Sequence, residues 1–140
     1  MIRRAAIADI PAIAGLAAQL GSTVDPETFP SRMARILELA THAVFVAEGD
    51  AGPCGFAAAE HRLLPFGEWV ELTSLVVDAD ARRHGMGTQL VAAVEAWARR
   101  RGVDRVLVRA SLAREGAHAF YPALGYERAK TQHVYTRTVR

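Results

Sequence analysis

The sequence predicts a mixed α/β fold built as one domain over residues 1–140. Three observations carry that expectation. Period-two apolar runs alternate along the chain with segments whose apolar residues recur at helical spacing. One stretch, residues 69 to 109, reads strand, turn, helix, strand, the order in which a crossover connects two parallel strands. A chain of 140 residues that is 51% hydrophobic is also large and apolar enough to bury one real core.

The elements follow in order. Residues 2 to 5 read as a short strand, after which Asp9 is expected to cap a helix. Pro11 lies in its first turn, Ile10, Ile13, Ala14, Ala17 and Leu20 on one face, and Gly21 is its stop. A polar loop with Thr23, Asp25 and Glu27 leads to a second helix over Pro30 to Ala40. Next, "AVFVAE" and "CGFAAAEH" read as two short strands joined by "GDAGP", which has the turn residues of a hairpin. In the longer strand "EWVELTSLVVD", period-two counting puts Trp69, Glu71, Thr73, Leu75 and Val77 on one face and Val70, Leu72, Ser74 and Val76 on the other. Both faces are largely apolar, so this strand belongs in the sheet interior. The helix from Thr88 to Arg101 offers Leu90, Val91, Val94, Trp97 and Ala98 to the core and ends at Gly102. "RVLVRA" is then a strand, and "EGAHAFYPALG" a helix that Pro122 should kink or shorten. "HVYTRTV" reads as a final strand whose exposed edge favours a homodimer.

Composition narrows the function. The formal charge is only +2, with 15 acidic residues dispersed among 17 basic ones, so nucleic acid is not an expected partner. All the basic residues except Lys130 are Arg, the side chain best shaped for phosphate. The lone Cys54 excludes an internal disulfide and fits a reducing compartment; between Pro53 and Gly55, with no neighbouring base, it reads as a small packing residue rather than a nucleophile. Asp9 and Pro11 interrupt what would have to be the apolar part of an export signal, and no run reaches the ~18 apolar residues of a membrane span. The expectation is a cytoplasmic protein with no membrane partner. His61, His118 and His133 lack ligand spacing with one another, so no metal is expected.

The most informative stretch is "SLVVDADARRHGMGTQLVAAVEAWARRRG", Ser74 to Gly102. It sets Arg82, Arg83 and His84 against the start of a helix, the end that normally favours acidic side chains. An anion seated on the turn would account for them. The turn is no Walker loop, because no Gly-Lys-Ser/Thr follows, and it lacks the third glycine of a dinucleotide fingerprint. It can still act as a phosphate cradle: Gly85 and Gly87 let the backbone approach closely, the N–H groups of residues 83 to 88 point inward, and Arg82 supplies charge. Met86 and Thr88 share that cradle.

"VVDADARRHGMG" resembles the acyl-CoA-binding signature of the GNAT N-acetyltransferase superfamily, Arg/Gln-x-x-Gly-x-Gly/Ala, set five residues after the valine that ends a central strand. Arg82, Gly85 and Gly87 match it at that spacing from Val77. "IRRAAIADIPAIAGL" resembles the family's opening strand and helix, and "AHAFYPALGYE" its late Phe-Tyr-x-x-x-Gly-Tyr/Phe element, so the likeness spans nearly the whole chain. The resemblance implies a GNAT-like mixed sheet of about six to seven strands with about four helices, whose central parallel pair splays to hold CoA. It implies acetyl-CoA as acyl donor, a pantetheine arm bonded to free backbone groups around Leu75, Val76 and Val77, and direct attack by an amine with no metal.

Two side chains take catalytic roles on this likeness. Glu71 matches the position where some members carry a general base, and an acid on an otherwise apolar interior strand is unusual in itself. Tyr121 matches the tyrosine that protonates the departing thiolate, although its helical spacing with Ala117, Phe120 and Leu124 suits a core residue equally. One position departs from the pattern: where many relatives have an Asn that contacts pantetheine, this chain has Arg114, which would reach a CoA phosphate or a substrate acid instead. The run from Ser111 to Tyr121 resembles a subgroup that acetylates aminoalkyl and aminoglycoside-like amines, so a small-molecule amine is the expected acceptor. The alternatives are a protein N-terminus or lysine, an aminoacyl-tRNA, or a CoA-binding sensor without catalysis.

Overall fold

The computed structural model describes residues 1–20, 24–82, 84–110 and 115–140, in two units, Met1–Arg109 and Ala110–Arg140. In the first unit five strands form one sheet in sequence order: β1 (Ile2–Arg4), β2 (His42–Gly49), β3 (Gly52–Leu64), β4 (Gly67–Val77) and β5 (Val106–Val108). The first four pair antiparallel and β5 joins β4 in parallel. Helices α1 (Ile10–Ala17) and α2 (Phe29–Glu38) stand between β1 and β2 in the chain, and α3 (Met86–Arg100) connects β4 to β5. The strand, helix, strand unit read from residues 69 to 109 is therefore present.

The sheet is covered on both faces. Ile10, Ile13, Leu16 and Ala17 of α1 and Met33 of α2 pack on Val44, Val46, Phe56 and Val76. On the opposite face α3 buries Leu90, Val91, Val94, Trp97 and Ala98, the five residues its periodicity selects. Gly55 lets that helix come close: a Cβ there would lie 3.0 Å from the Val76 carbonyl oxygen and 3.3 Å from Leu90 Cδ1.

Three expectations are corrected. Asp9 does not cap α1 through its side chain; it accepts from the Ala6 N–H at 2.7 Å and from the Arg3 guanidinium at 2.7 and 2.8 Å. Arg3 also donates to Glu48 at 2.6 Å, so this arginine clamps β1 and β2 to the entrance of α1. The stop assigned to Gly21 lies outside the described residues. Second, "HVYTRTV" is not a strand. Residues 126–140 take no ladder position, and the sheet has five strands rather than six or seven among the described residues. A strand exists only where a neighbour supplies its backbone partners, and β-propensity does not provide one.

The third correction concerns β4, whose faces do not alternate without interruption. The register against β3 runs Val76 to Phe56 and Ser74 to Ala58, then jumps to Leu72 with Ala59 and Glu71 with Glu60, leaving Thr73 bulged. Thr73 is exposed and its hydroxyl donates to the Ala58 carbonyl at 3.1 Å. One extra residue inverts the parity of everything before it. Glu71 thus shares a face with Ser74 and Val76, not with Leu75 and Val77 as period-two counting predicts.

The second unit contains α4 (Glu115–Ala123). Pro122 sits inside it, without an N–H for the i to i−4 ladder, and the helix ends one residue later. Leu124 and Tyr126 both close onto the Tyr121 carbonyl, at 3.0 and 3.1 Å.

Candidate active site

The site begins where two strands part. β5 pairs with β4 only at Val70, Leu72 and the intervening Glu71; from Thr73 onward β4 has no partner on that side among the described residues. Leu75, Val76 and Val77 therefore run along a fork in the sheet, held on the other side by Ala57, Phe56 and Gly55. Backbone groups on an open strand edge are donors and acceptors waiting for a partner.

The fork leads into the turn. Asp78 shapes it by accepting from the Asp80 N–H at 3.0 Å, and Gln19 Oε1 accepts from Ala79 N–H at 3.3 Å. Gly85 then takes φ +75°, a conformation L side chains rarely adopt, and serves as N-cap of α3 with no side-chain capping bond. The first intrahelical bond from this end runs from Gln89 N–H to the Gly85 carbonyl, so the N–H groups of Met86, Gly87 and Thr88 face outward without helical acceptors. No acid lies in the first turn. Met86 is pinned by its sulfur, 3.1 Å from Cys54 Sγ on β3, which gives the lone cysteine its packing role. Arg82 is exposed and its Nε donates to the Val77 carbonyl at 3.1 Å; His84 is exposed beside it. Arg83 and Arg114 lie outside the described residues.

With the turn, the fork and the bulge in this order, the sequence pattern of the Acetyltransferase (GNAT) family matches residues 14–126. The chain belongs to the GNAT acetyltransferase family. An uncharacterised N-acetyltransferase of Methanocaldococcus jannaschii is 30% identical over 99 residues, which are 69% of this chain and 44% of that relative; the match thus spans less than half of the relative's length. Among solved structures, an aminoglycoside 6'-N-acetyltransferase of Acinetobacter baumannii superposes with a TM-score of 0.87 at 19% identity, covering 100% of this chain and 99% of the other. Another aminoglycoside acetyltransferase, bound to a bisubstrate analogue of CoA and acetylneamine, gives 0.88 at 24% identity with 99% and 98% covered. These likenesses fix a GNAT fold.

In that GNAT frame Glu71 stands at the mouth of the fork, one residue before the last β4–β5 pair. It is only 9% exposed, yet it is not sealed in hydrocarbon. Oε1 lies 3.5 Å from Arg62 Nη1 and accepts from Trp69 Nε1 at 3.4 Å, while Oε2 lies 3.4 Å from Arg109 Nε. Arg62 comes from β3 and Arg109 follows β5, so guanidiniums approach the carboxylate from both neighbouring strands. Sequence reasoning missed both arginines. Their cross-strand proximity to Glu71 exists only once register is set.

Tyr121 belongs to the second unit. It is half-buried in α4, with its ring edge-on to Phe120 at 5.1 Å and to Tyr126 at 5.8 Å between centroids. His61 has a structural part. Arg101 Nε donates to its Nδ1 at 2.6 Å, which places the imidazole proton on Nε2, where Glu68 accepts at 2.8 Å. No helix of the described residues is long and apolar enough to cross a membrane.

Proposed function

We propose that this protein transfers an acetyl group from acetyl-CoA to the primary amine of a small molecule, by direct attack within a ternary complex. The observation that carries the reading is the continuity of an open strand edge, Leu75 to Val77, with an uncapped helix start at Gly85 to Thr88. A thioester on a long polar arm that ends in a pyrophosphate fits such a path. The pyrophosphate takes the N–H groups of Gly85, Met86, Gly87 and Thr88, with Arg82, Arg83 and His84 neutralising charge. Arg82 exchanges its bond to the Val77 carbonyl for the phosphate, which frees that carbonyl to accept from the pantetheine amide. Arg114, carried over from the family likeness, serves a CoA phosphate or a substrate acid.

In the reaction the amine nitrogen attacks the thioester carbonyl carbon, the C–N bond forms and the C–S bond breaks. Backbone N–H groups at the fork stabilise the developing oxyanion. Glu71 takes the amine proton, directly or through water, and Tyr121 protonates the departing thiolate. The family match runs through both units, which supports a single acetyltransferase domain over residues 1–140. A cytoplasmic setting suits the chemistry and the single free thiol. A homodimer is proposed as well, because Val134, Tyr135 and Val139 are each more than four-fifths exposed in a segment of strong β-propensity.

The test is thiol release from acetyl-CoA against a panel of amines, amino acids, polyamines, aminoglycosides and peptides. Amine-dependent release is expected for at least one small-molecule class. Gly87→Asp, which puts a carboxylate into the phosphate position, is expected to abolish calorimetric binding of acetyl-CoA in a folded protein. Unchanged affinity would overturn the cofactor assignment.

A further inference from the structure

The surroundings of Glu71 say something about the acceptor. On the sheet face that carries Glu71, beyond the part covered by α1 and α2, the register sets Glu60 opposite Glu71 and Arg62 opposite Trp69. Arg105 lies over the Trp69 ring, its guanidinium carbon 5.6 Å from the centroid. Two guanidiniums, from Arg62 and Arg109, thus meet the carboxylates of Glu60 and Glu71, while a third, from Arg105, lies on Trp69.

The distances separate this cluster from a structural clamp. Arg3 holds Asp9 and Glu48 at 2.6 to 2.8 Å, the range of committed charge-assisted bonds. Arg62 reaches Glu60 only at 3.4 Å and Glu71 only at 3.5 Å, and its side chain remains 36% exposed. Its bonding capacity is therefore only partly used, beside a carboxylate at the point where the amine must arrive. A polycation approaching Glu71 would meet the guanidiniums of Arg62 and Arg109. A molecule carrying both charges would set its ammonium against Glu71 and its acid against Arg62.

We infer that the acceptor is a small amine that also bears a carboxylate, as an amino acid does, with Arg62 receiving the carboxylate while Glu71 faces the amine. This deepens the acetyl-transfer reading and rests on it for the position of the amine. A guanidinium fork binds a carboxylate through two parallel bonds and so orients the molecule as well as attracting it.

The experiment compares matched sets: phenylalanine, its amide and phenethylamine; γ-aminobutyrate and butylamine; and a polycationic aminoglycoside. Thiol release gives kcat/KM, referred to free-base amine, and calorimetry gives binding of the same compounds without acetyl-CoA. Carboxylate-bearing members are expected to exceed their neutral counterparts by about tenfold or more in both measurements. Arg62→Gln is expected to collapse that ratio through KM for the carboxylate members, with unchanged circular dichroism, and Arg62→Lys to restore part of it. Equal or better use of neutral or polycationic amines by the wild-type protein would overturn the inference and leave acetyl transfer standing. No thiol release with any amine, alongside preferential binding of the carboxylate members, would overturn acetyl transfer and support the anion site alone.

Discussion

Two carboxylates, Asp9 and Glu71, illustrate how one chemical group is put to different uses here. Asp9 is locked: bonds from Arg3, aided by the Ala6 N–H, hold its carboxyl below the ordinary carboxylate value despite the opposing effect of burial. A folded value below the unfolded one means that the native state gains stability above the unfolded value, about pH 3.9, and loses it as pH falls through the folded value. Denaturant titrations from neutrality down to pH 3 should show stability falling below about pH 4, and Asp9→Asn should lower the neutral-pH plateau while flattening that acid slope. Glu71 is held loosely, by contacts of 3.4 to 3.5 Å. If it accepts the amine proton, Glu71→Gln should lower kcat/KM near neutrality by roughly 10²- to 10⁴-fold and recover as rising pH supplies free amine. If Tyr121 protonates the thiolate, Tyr121→Phe should lower kcat by a similar order without the recovery at high pH expected of Glu71→Gln. The pH profiles of the two variants check both assignments. The acid itself was legible in the sequence, as an anomaly on an apolar strand; its arginine neighbours were not, because they lie on other strands.

At the scale of elements, the bulge at Thr73 and the fork beyond Leu72 occur within one residue of each other along β4. A bulge increases local twist, which turns the remainder of the strand away from a parallel neighbour. Period-two counting failed here for a definite reason: it assumes an uninterrupted ladder, and no glycine or proline announces the extra residue in "EWVELTSLVV". Helix α3, by contrast, was legible because 3.6-residue periodicity does not depend on register with a partner. What the periodicity does not reveal is how close the helix must come. Gly55→Ala would put a methyl 3.0 Å from the Val76 carbonyl and 3.3 Å from Leu90, and neither the backbone of β4 nor a fully buried leucine yields easily. The variant should lose about 1–3 kcal/mol in denaturant unfolding. Because the displaced end of α3 carries the turn, its affinity for acetyl-CoA should fall as well, which calorimetry would read.

On the scale of the whole molecule, the tail of the second unit, residues 126–140, carries no helix or strand. Exposed Val134, Tyr135 and Val139 leave apolar surface that a second copy would cover. Sedimentation of the wild-type protein should then give a dimer, and the double substitution Tyr135→Glu with Val139→Glu should give a monomer. A monomeric wild type at micromolar concentration would reject the homodimer.

What the residues determined unaided is whatever depends on local order: the alternation of strands and helices, the buried face of α3, the two-glycine turn at its start, and the family whose motif sits there. Tertiary structure decided everything that depends on pairing. The bulged register of β4 reversed the face assigned to Glu71, the end of β5 fixed where the fork opens, and juxtaposition of β3, β4 and β5 brought Arg62 and Arg109 to the carboxylate. The same dependence cost "HVYTRTV" its strand. Helical periodicity is closed within one segment by its own i to i−4 bonds, whereas a strand's bonds, register and facing neighbours all belong to another part of the chain.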